Sequence, residues 1–260
     1  MTETVRTRRE GGILEVTMDR PKANAISLEY SRAMGEVFRD FRDDPQLRVA
    51  IITGAGEKFF CAGWDLKAAS EGASIEGDYG VGGFGGIQSL LDLNKPVIAA
   101  VNGICCGGGF EIALSADLIV AADHATFALP EIRSGTIADA ASIKLPKRIP
   151  YHIAMDMLLT GRWLDAEEGA RWGFVNRIAP ADKLLEEAWS LARLLESGPP
   201  LVLAAIKEVV RESEARDFQT MMDKIAKRRL RTIETLFDSE DQLEGARAFA
   251  EKRDPVWKGK

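Results

Sequence analysis

Apolar residues recur along the first half of the chain in short runs separated by polar turns. Residues 13–21 alternate apolar and polar side chains, which predicts a strand that ends at Pro21. Uninterrupted β-branched runs predict buried strands at 47–54, 95–103 and 116–123. A shorter extended segment covers 125–131, where Pro130 interrupts it. Strands of this kind that alternate with helices indicate an α/β protein with crossover connections.

Helical spacing appears first at 27–44, with Ser27 as N-cap, and dominates after residue 150. Apart from a short strand at 174–179, the second half reads as helices at 152–161, 165–173, 181–198, 201–213, 218–237 and 239–253. The last of these begins with Ser239 as cap. We therefore expect a core at 1–195 and a helical region at 196–260 that packs on its own domain or on a partner subunit.

Charge and composition narrow the class of protein. The net charge is −6 and basic residues are interspersed with acids, which argues against a nucleic-acid-binding protein. No apolar run approaches the ~20 residues that cross a bilayer, and the N-terminus lacks the apolar segment of a secretory signal. Three cysteines, two of them adjacent, form no disulfide framework, so we expect a cytoplasmic protein.

Histidine is nearly absent, which limits the chemistry. His124 and His152 belong to no H-x-x-x-H or clustered Cys/His pattern, so no metal site is expected. Neither lies near a nucleophile-elbow pattern. Acid–base chemistry in this chain is therefore expected to use carboxylates.

Three glycines, Gly107 to Gly109, join the strand at 95–103 to an apolar helix. Backbone N–H groups at such a helix start bind negative charge, including charge that develops on a carbonyl oxygen. The spacing fits neither a P-loop nor a dinucleotide-binding motif. Close packing of helix on strand is the alternative explanation of the glycines.

A second turn of the same form, Ala62-Gly63-Trp64, follows the strand at 47–54. Two such turns aimed at one point would form an oxyanion hole. Cys61 has no histidine partner and is interpreted as a small buried residue.

Two glutamates lie near these turns. Glu111 is in the first turn of the helix after the glycines, and Glu131 follows Pro130 at the end of the extended segment. With histidine nearly absent, they form a candidate acid/base pair. The glycine-rich stretch 71–86 is either a plain mobile loop or one that covers a substrate.

Several motifs together resemble the crotonase (enoyl-CoA hydratase/isomerase) superfamily, over essentially the whole chain. They are DRPKANAI (19–26), AGWDLKA (62–68), AAVNGICCGGGFEIALSADLIVAAD (99–123) and ATFALPEIRSGTI (125–137). The resemblance implies a spiral of ββα turns followed by a C-terminal helical trimerisation region, in trimers or dimers of trimers. It also implies water addition to a 2-enoyl-CoA thioester, with coenzyme A as part of the substrate and no other cofactor.

The resemblance assigns roles to individual residues. The oxyanion hole falls on the backbone N–H groups of Trp64 and Gly108, and the acid/base pair on Glu111 and Glu131. Positions that correspond to the coenzyme A site are Lys22, Ala23, Ala25, Ala62, Asp65, Leu66 and, in relatives sometimes from a neighbouring subunit, Phe249 and Lys252.

Two features bear on the substrate. Residues 42–69 and 249–260 are similar to members that act on carnitine-type acyl groups, and Trp64 and Tyr79 are candidates for stacking on a trimethylammonium group, with ordinary packing as the alternative. The turn 137–142 lacks the proline and paired glycines of relatives and predicts a reshaped pocket. An isomerase, a fatty enoyl-CoA hydratase and a non-catalytic acyl-CoA-binding protein are the alternative functions.

Overall fold

Short strands and helices alternate through the first 180 residues. The structure, a computed structural model, describes residues 4–72 and 76–260. Its strands are β1 (Thr4–Glu10), β2 (Ile13–Asp19), β3 (Val49–Gly54), β4 (Phe59–Cys61), β5 (Val97–Val101), β6 (Ile104–Cys106), β7 (Leu118–Ala122), β8 (Thr126–Ala128), β9 (Trp163–Asp165) and β10 (Arg177–Ala179).

Twelve α-helices lie within the described residues. They are α1 (Leu28–Asp43), α2 (Leu66–Ser70), α3 (Gly108–Ala113), α4 (Glu131–Ser134), α5 (Asp139–Lys144), α6 (Tyr151–Thr160), α7 (Ala166–Trp172), α8 (Leu184–Glu196), α9 (Pro200–Ser213), α10 (Phe218–Ala226), α11 (Arg231–Phe237) and α12 (Asp241–Glu251). Within the described residues, no helix is both long and apolar enough to cross a membrane.

The strands form two sheets. The larger has the order β1-β2-β3-β5-β7-β10 and is parallel except for the β1–β2 pair. All residues of β3 and β5 are buried, as their unbroken apolar sequences predict. The smaller sheet has the order β4-β6-β8-β9, with β4, β6 and β8 parallel.

A ββα unit repeats three times. β3, β5 and β7 of the larger sheet are followed by β4, β6 and β8 of the smaller one, and then by α2, α3 and α4. The sequence predicted the first strand of each unit, but β4 and β6 were not predicted. Each has three residues, too few for an alternating pattern to be recognised.

The stretch 71–86 is only partly a loop. Residues 73–75, on which part of the predicted substrate-covering loop falls, lie outside the described residues. The second half packs against α1: the Gly85 N–H donates to Ser31 Oγ at 3.1 Å. A Cβ on Gly86 would lie 2.5 Å from the backbone of Met34 and Gly35. The glycines here allow close backbone packing.

The C-terminal helices have a small core of their own. Its buried members are Ala205, Met221, Leu230 and Ile233, all after residue 196. The predicted helix at 218–237 is wrong as one element, because Arg228 takes a left-handed φ of 51° and separates α10 from α11. Ser27 caps α1 as predicted, its Oγ accepting from the Tyr30 N–H at 3.1 Å.

Candidate active site

The starts of α2, α3 and α4 lie side by side. Each follows a strand of the smaller sheet, and β4, β6 and β8 are parallel neighbours in that order. Because parallel strands end at the same edge of a sheet, the residues that follow them are neighbours. Trp64, Gly108 and Glu131 follow these three strands and therefore lie at one edge.

The two glycine turns meet at their backbones. Gly63 has a φ of +85°, and a Cβ there would lie 2.8 Å from the Gly108 nitrogen. Trp64 forms a parallel bridge with Ile26, in which the flanking residues make the hydrogen bonds: Ile26 N–H to Gly63 O at 2.8 Å and Asp65 N–H to Ile26 O at 3.1 Å. The Trp64 N–H therefore points to the other side. Among the described residues, neither it nor the Gly108 N–H has an acceptor.

The alternative explanation of the glycines holds for Gly109. A Cβ on Gly109 would lie 2.1 Å from the Cys61 carbonyl oxygen, so this glycine serves close packing of α3 on β4. Gly108 also permits packing, since a Cβ there would lie 2.4 Å from the Phe84 ring, but its N–H has no acceptor among the described residues.

Glu111 is buried, with 6% of its surface exposed. Burial raises its pKa to about 7, the Asp139 and Glu131 charges add to the shift, and a hydrogen bond from the Ala141 N–H to Oε1 (2.8 Å) opposes it. A carboxyl with this pKa exchanges protons near neutral pH, which suits a general acid or base.

Glu131 is the first residue of α4, not the end of an extended segment as predicted, because β8 stops at Ala128. Burial raises its pKa, and the Asp139 charge adds to that effect. Its Oε1 lies beside Gly107, where a Cβ would approach to 2.8 Å. Since the Glu131 charge also raises the pKa of Glu111, the two carboxyls share one electrostatic environment.

Two buried side-chain polar atoms lack a hydrogen-bond partner among the described residues, and both belong to this site. They are Glu131 Oε2 and Trp64 Nε1. Buried groups of this kind are uncommon and call for a ligand, a water or a catalytic role.

Sequence reasoning missed the contribution of α5. The altered turn 137–142 contains its start, and Ala141 in its first turn donates to Glu111. Lys144, on the same helix, donates to Ser115 Oγ at 2.6 Å and its charge lowers the pKa of Glu111. The missing glycines were visible in the sequence, but the contact with Glu111 was not.

The predicted coenzyme A residues fall into two groups. Lys22, Ala23 and Ala25 lie next to the 62–66 segment: the Ala62 N–H donates to Ala23 O at 3.0 Å, and Arg20 pairs with Asp65 at 2.8 Å while donating to Ala25 O. Lys22 and Leu66 are exposed at this surface.

Phe249 and Lys252 form the second group and lie on the exposed side of α12 and at its end. Phe249 is 87% exposed. In the described residues, no hydrogen bond or ion pair joins either residue to the first group. Their place in a coenzyme A site stays a prediction.

Cys61 is buried as expected. Burial raises the pKa of its thiol to about 12, so it stays protonated near neutral pH.

Replacing Glu111 by glutamine is expected to stabilise the fold above pH 7. A carboxyl whose pKa is higher in the folded protein than its ordinary 4.5 binds more protons when folded, so stability falls as pH rises from about 4.5 to about 7. Glutamine cannot ionise, and we expect a gain of about 1–3 kcal/mol at pH 8 that nearly vanishes at pH 4.5. Denaturant unfolding at both pH values and one protein concentration measures it. An equal difference at both would show that Glu111 ionises at its ordinary pKa.

The comparisons with known proteins identify the family of this chain. The family model for enoyl-CoA hydratase/isomerase matches residues 8–260. A crystal structure of enoyl-CoA hydratase from Mycobacterium tuberculosis H37Rv superposes with a TM-score of 0.89 at 39% identity, covering 99% of this chain and 100% of that one. The chain belongs to the enoyl-CoA hydratase/isomerase family, and its fold is the crotonase fold, as predicted.

Within that family, curated relatives of high similarity share one name. Carnitinyl-CoA dehydratase of Salmonella arizonae is 56% identical over 260 residues, and that of Escherichia coli O157:H7 is 53% identical over 261 residues, both across the full length of each chain. The crystal structure of carnitinyl-CoA hydratase from Mycobacterium avium superposes with a TM-score of 0.76 at 38% identity, covering 100% of both chains.

Proposed function

We propose that this protein is a hydro-lyase that reversibly adds water to crotonobetainyl-CoA to form carnitinyl-CoA. The observation that carries the proposal is the pair of glutamates with raised pKa values beside two unengaged backbone N–H groups. The relatives named carnitinyl-CoA dehydratase support the choice of substrate.

In the proposed mechanism, the thioester oxygen accepts hydrogen bonds from the Trp64 and Gly108 N–H groups. Water adds to C3 as one glutamate carboxylate takes its proton, the double-bond electrons pass through C2 to the thioester oxygen, and the two donors stabilise the enolate. The other glutamate, in its protonated form, delivers a proton to C2. Water addition causes no net oxidation or reduction of the substrate, so the steps require no redox cofactor.

The environment of the site disfavours ionisation of both glutamates. Burial raises both pKa values, and the two carboxyl groups influence each other. The first deprotonation of the pair leaves a charge that disfavours the second. Which glutamate holds the proton is a property of the pair and its ligand.

The altered turn favours an enzyme over a non-catalytic binding protein. The turn lacks the proline and paired glycines of relatives, yet the Ala141 N–H donates to Glu111 from this turn. A donor aimed at the carboxylate holds it in one orientation, which is what a general acid or base requires.

A panel of coenzyme A thioesters tests the function. Crotonobetainyl-CoA, crotonyl-CoA and a 3-enoyl-CoA are followed at the enoyl-thioester absorbance, with coenzyme A binding measured by calorimetry. We expect fast hydration of crotonobetainyl-CoA and weak hydration of crotonyl-CoA. Conversion of the 3-enoyl thioester without water addition would indicate an isomerase. Binding without any turnover would indicate the non-catalytic protein.

We also propose a homotrimer or dimer of trimers in the cytoplasm, in which Phe249 and Lys252 complete a neighbour's coenzyme A site. Phe249→Ser is expected to shift the assembly toward monomers and weaken coenzyme A binding, because burial of a phenylalanine contributes about 1.5–3 kcal/mol, or about 10- to 100-fold per interface. Light scattering and calorimetry measure both effects.

The matched control is Leu91→Ser. Leu91 is 78% exposed, comparable with Phe249, but lies outside the C-terminal helices. It should leave assembly and binding unchanged. A stable monomer for the intact protein, or equal effects of both variants, would count against the proposal.

A further inference from the structure

Three aromatic rings form a cluster that the proposed reaction does not use. Trp64 and Tyr79 have ring centroids 5.9 Å apart, Tyr79 and Phe84 5.7 Å, and Trp64 and Phe84 6.5 Å. All three residues are partly exposed, in contrast to the buried trio Phe110, Phe127 and Phe174, of which the first two are fully buried. The cluster therefore presents aromatic surface outside the core.

This aromatic cluster lies against the two backbone donors. Trp64 carries one of the N–H groups itself. The Phe84 ring covers Gly108, where a Cβ would lie 2.4 Å from the ring. A group that the cluster binds is thus close to the thioester oxygen in the proposed mechanism.

One acidic side chain borders both the cluster and the glutamates. Burial is the largest cause of the raised pKa values of Tyr79, Glu111 and Glu131, and the Asp139 charge raises all three further. Its Oδ1 is 2.7 Å from the Ala140 N–H and 3.4 Å from Gln88 Nε2. A cation bound in the site would reduce the repulsion between this exposed carboxylate and the two glutamates.

We propose that Trp64, Tyr79, Phe84 and Asp139 form a subsite that binds the quaternary ammonium end of the acyl group. A trimethylammonium group has no N–H to donate, so proteins recognise it by aromatic faces and nearby negative charge rather than by hydrogen bonds. In crotonobetainyl-CoA the nitrogen is four bonds from the thioester carbon. That short reach matches a cluster that includes Trp64 and covers Gly108. The subsite rests on the proposed function for the site it belongs to.

The test compares crotonobetainyl-CoA with 5,5-dimethylhex-2-enoyl-CoA, in which a carbon atom replaces the charged nitrogen. The two thioesters have the same shape and differ in charge. The wild-type protein should have a kcat/KM about tenfold or more higher for the cation. Asp139→Asn keeps an oxygen for the Ala140 N–H, and should lower that ratio about tenfold. Asp182→Asn, at an exposed position on the turn before α8, controls for net charge and should leave the ratio unchanged.

The rings are tested with a pair of variants. Tyr79→Leu should lower the preference for the cation by about 2- to 30-fold, and Tyr79→Phe should retain it, because the aromatic face remains. Activity on the neutral thioester shows whether each variant is folded. Each conclusion depends on the ratio of the two kcat/KM values within one variant, so a general loss of activity does not affect it.

The outcomes separate this subsite from the proposed function. Equal kcat/KM values for the two thioesters in the wild type, or equal losses on both in Asp139→Asn and Tyr79→Leu, would overturn the subsite while hydration stands. If neither thioester is hydrated, the proposed function is wrong. Calorimetry with carnitinyl-CoA and 3-hydroxy-5,5-dimethylhexanoyl-CoA then decides the subsite by itself: tighter binding of the cation, reduced in Asp139→Asn, supports it, and equal affinities refute it.

Discussion

Replacing Glu111 or Glu131 by glutamine is expected to lower kcat by about 10²–10⁴, the usual contribution of a positioned general acid or base. Glutamine has nearly the same shape as glutamate, and at position 111 it keeps an oxygen for the Ala141 N–H, but it cannot act as a general acid or base. The loss should appear in kcat for both hydration and dehydration, because the two directions share one transition state. Initial rates at saturating crotonobetainyl-CoA and carnitinyl-CoA measure it.

Glu208→Gln provides the matched control. Glu208 is also buried, at 9% exposure, and accepts from the Thr232 N–H and hydroxyl within the small C-terminal core. It lies outside the proposed chemistry, so its kcat should stay within about twofold of wild type. Wild-type turnover in either Glu111→Gln or Glu131→Gln would remove that residue from the mechanism.

Replacing Gly63 by alanine is expected to lower kcat by about 10²–10³, the usual effect of losing one oxyanion donor. The new Cβ would lie 2.8 Å from the Gly108 nitrogen and 3.0 Å from the Cys106 carbonyl oxygen, so the two backbones must separate. That movement takes the Trp64 and Gly108 N–H groups out of alignment. Steady-state rates with crotonobetainyl-CoA, together with the affinity for coenzyme A alone, measure the effect.

Gly56→Ala separates the effect of the close Cβ contact at Gly63 from the effect of backbone strain. Gly56 has a similar left-handed φ of +80°, but a Cβ there meets nothing within 4 Å. Both variants carry the cost of an alanine in that region, about 1–2 kcal/mol. Only Gly63→Ala should lose activity. Equal activity losses in the two would attribute the effect to strain, and the donor pair would lose its support.

Local patterns were sufficient to find the two glycine turns and the two glutamates, whereas the coenzyme A positions were assigned only through the family resemblance. The strand–glycine–helix pattern predicts the turns at Trp64 and Gly108 without knowledge of the fold, because such a turn depends on a few consecutive residues. The glutamates were found by their closeness to these turns and the scarcity of histidine. Errors occurred where tertiary packing overrides pattern, as at Arg228, where the chain turns between α10 and α11.

The aromatic cluster shows the limit of such reasoning. The sequence suggests Trp64 and Tyr79 as aromatic partners of one cation, but Phe84 lies in a glycine-rich stretch that predicts a loop, and no periodicity relates it to them. They meet because the second half of that stretch packs on α1, through contacts such as Gly85 N–H to Ser31. A three-ring cluster drawn from separate segments cannot be inferred from spacing along the chain.

The sequence by itself determined the buried strands β3, β5 and β7, where the chain turns on glycine, and which side chains are candidates for proton transfer. These properties follow from a few adjacent residues, through side-chain burial and backbone dihedral freedom. Only the tertiary structure decided which residues lie next to each other in the site. The parallel pairing of β4, β6 and β8 brings Trp64, Gly108 and Glu131 to one edge, and α5 directs the Ala141 N–H at Glu111. The pKa of Glu111 depends on that environment, because desolvation and neighbouring charges act through space rather than along the chain.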